Sequence, residues 1–170
     1  RHITAAGGVV STFAGSGAAG HHDDTGTAAQ FDHNFGITID AADLYVVDRF
    51  NSVIRKIVKA TKVVTTYAGR PGIPGFADGP IGLFNYPCGI GIAADSITHY
   101  AGDNENEAVR KVAPDGWVTT IAGNNKADSV NSVRGSTFLS EPSSAVVDDQ
   151  GYVFVRHALA ANSAEARRAE

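Results

Sequence analysis

The sequence contains no methionine, a single cysteine and no apolar run longer than a few residues, such as Leu44 to Val47. Each shortage excludes something. A helix crossing a bilayer needs roughly 20 apolar residues, so no membrane insertion is expected. A chain without Met that opens on Arg1 is expected to be a processed or excerpted piece, in which no amino-terminal signal would be looked for. Cys88 alone cannot form an internal disulfide. That fits a reducing compartment, and it equally fits an extracellular domain built without disulfides, so localisation stays open. There is no Asn-x-Ser/Thr acceptor, which removes one sign of secretion. Basic residues are outnumbered, 14 Lys and Arg against 18 Asp and Glu, for a net charge of −4. A nucleic-acid module normally presents a basic face, so no nucleic-acid partner is expected. No Gly-x-Ser-x-Gly elbow, P-loop or dinucleotide fingerprint occurs, and no cofactor is expected.

What is present is a repeat. The segments Val10-Ser-Thr-Phe-Ala-Gly15, Val64-Thr-Thr-Tyr-Ala-Gly69 and Val118-Thr-Thr-Ile-Ala-Gly123 place glycines 54 residues apart. Phe31-x-x-Asn-x-Gly-Ile37 matches Phe84-x-x-Pro-x-Gly-Ile90, with Leu139-Ser-Glu-Pro142 as a weaker third copy. Asp48 and Arg55 return as Asp103 and Arg110, both 55 residues on. Repetition at such a period is the mark of a stacked or radial array of equivalent units.

Within a repeat the signals are all β. Gly36–Asp40 alternates, Leu44–Asp48 and Val53–Ile57 are β-branched and aromatic, and Lys62–Ala68 continues the pattern. We term these strands a, b, c and d. The connections within a repeat are short enough for hairpins. A long Gly/Pro-rich stretch, Arg70–Pro80 in the clearest case, then leads to the next strand a. The expected fold is all-β: a β-propeller segment of about three four-stranded antiparallel blades. It would span residues 1–157, with repeats near 8–57, 62–112 and 116–157. Three blades cannot close a ring, so the remainder is expected from blades in cis or in trans. The Ala-rich tail, 158–170, is left open between a degenerate strand, a terminal helix and a non-native end.

Gly-Ile-x-x-Asp, then Leu-Tyr-Val-Val-Asp-x-x-Asn, Ile-Arg-Lys-Ile and Val-x-Thr-x-Ala-Gly resemble the NHL repeat, best over residues 36–69 and well over 89–123. The third copy, 142–157, departs from it: Arg156 is matched to Asp48, and no Ile-Arg-Lys run follows. The resemblance implies a propeller, most often six-bladed, acting mainly in protein–protein binding. Some members bind RNA or small ligands, and a few related propellers are metal-dependent enzymes with His ligands.

In such a meander the b–c turns and the d–a loops emerge on one face, the other turns on the opposite one. Function sits by preference on loops held by a rigid scaffold. The candidate partner-binding residues are therefore Arg49, Phe50, Asn51, Asn104, Glu105, Asn106 and Phe76. The recurring Asp-x-x-Asn at 48–51 and 103–106 also suits plain turn capping. Asp48, Asp103, Arg55, Arg110, Gly15, Gly69 and Gly123 read as structural repeat positions, with Arg55 and Arg110 pairing to Asp48 and Asp103. No metal site is assigned. The weak candidates are His21, His22 and Asp23, beside an Asp24 that aligns with Asp78. Ile37, Ile39, Ile90, Ile92 and Val146 are expected to face the central channel, and Trp117 to pack between blades. The expected function is non-catalytic: a protein–protein interaction or scaffolding module whose partner is another protein or a neighbouring subunit. The alternative is a metal-dependent lyase or hydrolase on the same propeller.

Overall fold

The computed structural model describes residues 1–125 and 139–158. The short tail 158–170 therefore lies almost wholly outside the described residues. Among the described residues there are twelve strands: β1 (His2–Ile3), β2 (Val10–Ser11), β3 (Asn34–Ile39), β4 (Asp43–Asp48), β5 (Val53–Val58), β6 (Val64–Gly69), β7 (Pro87–Ile92), β8 (His99–Asp103), β9 (Ala108–Val112), β10 (Val118–Gly123), β11 (Ser140–Val147) and β12 (Val153–Ala158). β3 to β6 form one four-stranded antiparallel sheet in chain order, and β7 to β10 form a second. Each is a complete blade, with strands a to d within two residues of the sequence expectation. β1–β2 and β11–β12 are two-stranded sheets before and after them.

The blades stack through their faces. The leading strands β3, β7 and β11 lie side by side. They approach so closely that a Cβ at Gly36 would sit 2.6 Å from the Cys88 carbonyl oxygen. Only a residue without a side chain admits that contact. Between the two complete blades Tyr45, Val47, Ile54 and Ala68 meet Phe84, Ile90, Ala101, Val112 and Val118 in one buried cluster. On the leading side of the first blade Ala29, Phe31, Val46, Ile57 and Val64 form a second.

Four expectations need correction. The strand a isoleucines do not face the channel, because each blade stands with its pleated faces toward its neighbours. Ile90 is 8% exposed inside the inter-blade core, whereas Ile37, its equivalent in the first blade, is 63% exposed on an uncovered leading face. In the third copy His157, not Arg156, holds the position of Asp48. Val153 pairs with Val147 as Leu44 pairs with Ile39, and the intervening turn is longer, 148–152 in place of 40–43. Asp23, not Asp24, is the counterpart of Asp78, since both make the same bonds to a strand c arginine and a strand d threonine. Trp117 is exposed in the turn between β9 and β10 and does not pack between blades.

Candidate functional site: an aromatic cluster on the loop face

Each complete blade fastens its crossover loop with one buried arginine. Arg55 Nη1 donates to Asp48 Oδ2 at 2.8 Å, and its Nη2 donates to Asp23 Oδ1 at 2.6 Å. Arg110 repeats this with Asp103 Oδ2 at 2.6 Å and Asp78 Oδ1 at 2.9 Å. Each guanidinium also donates to two backbone carbonyls and lies over a Phe ring, Phe31 or Phe84. Asn51 and Asn106 complete the clamp. Their Nδ2 groups donate to the blade's Asp and to a loop carbonyl, Gly20 or Gly75. Both asparagines are buried, so they present no side chain to a partner. Phe76 lies 5.0 Å from the Arg110 guanidinium carbon and keeps 39% of its surface exposed.

This network also absorbs the histidine-rich segment. Asp23 is committed to Arg55 and to the Thr66 N–H. His21 Nε2 lies 2.7 Å from Thr66 Oγ1, and burial, with the nearby Arg55 charge, holds its pKa below the ordinary value. His22 faces Asp24 instead. No group of three His, Cys, Asp or Glu with metal-holding geometry occurs among the described residues. At Asp78 burial pushes the carboxyl up, but the Thr120 N–H and hydroxyl and the Arg110 guanidinium outweigh it and hold the pKa low.

The clamps leave a different set free. Arg49 and Phe50 follow strand b of the first blade. Arg49 Nη1 donates to Cys88 Sγ at 2.7 Å and Nη2 to Asn104 Oδ1 at 3.3 Å, bridging to the second blade. Its guanidinium lies over the Phe35 and Tyr86 rings, at 5.2 and 5.9 Å. Phe50 stacks on His33 at 4.0 Å and meets the edge of Tyr86 at 5.5 Å. Phe35 is 64% and Phe50 46% exposed. Asn104 is buried beneath Arg49, while Glu105 is exposed at the margin. Burial pushes the Cys88 thiol above its ordinary pKa, and Arg49 only partly offsets that.

Sequence reasoning found Arg49 and Phe50 but missed His33, Phe35 and Tyr86. The signal was present. His33, Tyr86 and Glu141 occupy one position at the head of strand a in three successive copies. All three adopt left-handed backbone, with φ of 53°, 48° and 47°. The register of strand a slips just after His33 and Tyr86, and across Glu141. Such a conformation is uncommon for residues other than glycine. The kink recurs while the side chain changes, so the fold fixes a display position whose chemistry is free to vary.

No protein-family model matches the chain, and no curated protein matches it. Solved structures do. An auxiliary nutrient binding protein from Bacteroides ovatus is 18% identical with a TM-score of 0.64, over 77% of this chain and 36% of that one. Another from Bacteroides thetaiotaomicron is 22% identical with a TM-score of 0.62, over 71% and 34%. Virginiamycin B lyase from Staphylococcus aureus is 15% identical with a TM-score of 0.51, over 73% and 34%. The chain thus spans about a third of the length of these proteins. Likeness at such identity shows the fold alone: the chain is an all-β segment of a propeller, built from four-stranded antiparallel blades.

Proposed function

We propose that the chain is a non-catalytic binding module whose loop face takes a protein partner through the Phe35, Phe50, Tyr86 and Arg49 cluster. The observation that supports this most is the exposure of two phenylalanines beside an arginine that has no carboxylate partner among the described residues. Aromatic and Arg side chains are the residues that dominate interface energetics. Here they need little ordering on binding, because Arg49 is already held by Cys88 and Asn104. The nutrient-binding neighbours support a binding role in general terms.

The test is co-purification of the native protein's partner, followed by affinity measurement on Phe35→Ala and Phe50→Ala. Trp117→Ala, on the opposite face, is the control. Loss of roughly 30-fold or more in affinity for the loop-face variants is expected, the effect of removing a hot-spot side chain worth about 2 kcal/mol. Equal binding by all three variants would overturn the assignment.

A further inference from the structure

The two complete blades meet along one seam, and the loop-face cluster is built across it. Arg49 and Phe50 belong to the first blade, Cys88, Tyr86 and Asn104 to the second. Toward the other end of the seam sits His99, the first residue of β8, whose far end leads into Asn104. His99 is wholly buried. Its ring centre lies 3.9 Å from that of Tyr45 and 5.5 Å from that of Tyr67, both on the first blade. The Tyr67 hydroxyl donates to the Ala113 carbonyl of the second blade at 2.7 Å. Its oxygen lies 3.5 Å from His99 Nδ1 and can accept Nδ1–H. Nε2 is buried with no partner among the described residues.

Such a site suits a neutral imidazole and penalises a charged one. The neutral ring leaves only a lone pair bare on Nε2, whereas protonation adds a second N–H with nothing to receive it. The charge would also leave water for an apolar seam. The charged groups around the ring are all engaged elsewhere. On the first blade, Asp40 accepts from the Tyr45 hydroxyl and two backbone N–H groups, and Asp43 pairs with Lys56 of β5. On the second, Asp95 accepts from Thr98 and the Ile97 N–H, and Asp115 from the Trp117 N–H. Further along the same face Asp103 and Arg110 are locked in their clamp. Lys111 stands on the opposite face of β9, paired with Tyr100. Cys88 is the one titratable group on β7, and β10 has none. Burial therefore outweighs the attraction of Asp40 and Asp95 and holds the His99 pKa down to about 4.

We propose that this seam is an acid-operated latch: uptake of a proton by His99 parts the two blades, and the parting takes apart the loop-face cluster that spans them. In the open state His99 reaches water and binds its proton near pH 6.5, as an ordinary imidazole, whereas the closed state refuses it until about pH 4. Opening is therefore unaffected above pH 6.5 and is favoured progressively as pH falls below it. The two ends of β8 couple the events. His99 begins the strand, and Asn104, which holds Arg49, follows its last residue. Cys88 is 1% exposed beneath the Arg49 guanidinium, so drawing the blades apart uncovers its thiol. A buried histidine biasing an interface between two arrangements is a recognised form of pH switch. The opening stands on the seam alone; its effect on a bound partner rests on the loop-face reading.

The single thiol of the chain provides the test. The rate at which 4,4′-dithiodipyridine labels Cys88 is measured from pH 7 to pH 5 and divided by the rate for the urea-unfolded chain at the same pH. When opening and closing are fast relative to labelling, this ratio reports the population of the open form. A rise of about 20-fold between pH 7 and pH 5 is expected from the two proton affinities of His99. His99→Leu and His99→Gln, which cannot titrate, are both expected to give a flat ratio. The rise is also expected to respond to urea far less steeply than whole-chain unfolding does, because parting one seam exposes less surface. A flat ratio in the parent, a rise kept in both neutral variants, or a urea response as steep as that of whole-chain unfolding would each overturn the latch. No partner enters the measurement, so its failure leaves the loop-face reading standing, and failure of that reading leaves the latch standing.

Discussion

Replacing Arg110 with methionine tests whether the buried arginine clamps hold each blade to its crossover loop. The guanidinium is fully buried and donates to Asp103 Oδ2, Asp78 Oδ1, and the carbonyls of Leu83 and Ala77 at 2.6–2.9 Å. Methionine keeps most of the stem volume over Phe76 and Phe84, so little cavity is created. What is lost is the counter-charge. Asp103 retains only the Asn85 N–H and Asn106 Nδ2, each at 2.8 Å. A buried carboxylate stripped of its partner costs about 3–5 kcal/mol. At a urea slope of about 1–3 kcal/mol per molar, the unfolding midpoint read by far-UV circular dichroism is expected to fall by roughly 2 M. The double variant Arg110→Met, Asp103→Asn removes the stranded charge and is expected to recover about 1–3 kcal/mol of that. Lys56→Met is the contrast. Its pair with Asp43, at 2.7 Å, is partly exposed and is worth only about 0.2–1 kcal/mol. If Arg110→Met and Lys56→Met shift the midpoint equally at unchanged slope, the clamps do not hold the fold.

Two further perturbations probe the inter-blade core. His99 is buried beside Tyr45 and Tyr67 with no partner on Nε2, and desolvation drives its pKa from 6.5 down to about 4. The unfolded chain takes up that proton near pH 6.5 and the folded chain only near 4. Its contribution is thus complete above pH 6.5 and is lost as pH falls toward 4, about 3 kcal/mol in all. His99→Leu should flatten stability against pH across that interval, and parallel curves for variant and parent would refute this. Gly36→Ala places a Cβ against the Cys88 carbonyl oxygen at a backbone angle alanine tolerates, so its cost is purely steric. A loss of about 1–3 kcal/mol is expected from forced separation of β3 and β7, and an unchanged melting temperature would refute the close contact.

The Asp48 and Arg55 pairing was legible because it is local. Each lies on one hairpin, and the 54- or 55-residue return of the pattern repeats the geometry. Positions whose partners come from elsewhere were not. Asp23 was passed over for Asp24 because loop length, which sequence spacing carries only loosely, decides which carboxylate reaches Arg55. Asn51 looked like surface until a carbonyl from the preceding loop, that of Gly20, covered it. Ile37 and Ile90 share one motif, yet one is bare and the other buried.

By itself the sequence determined the repeat, the four strands within it and the antiparallel order, since period-two patterning and short turns act over a few residues. Tertiary structure alone decided which face of each blade is covered and which arginine stays open on the loop face. Those properties depend on what lies across a blade interface, and neighbours in space leave no fixed spacing in the chain.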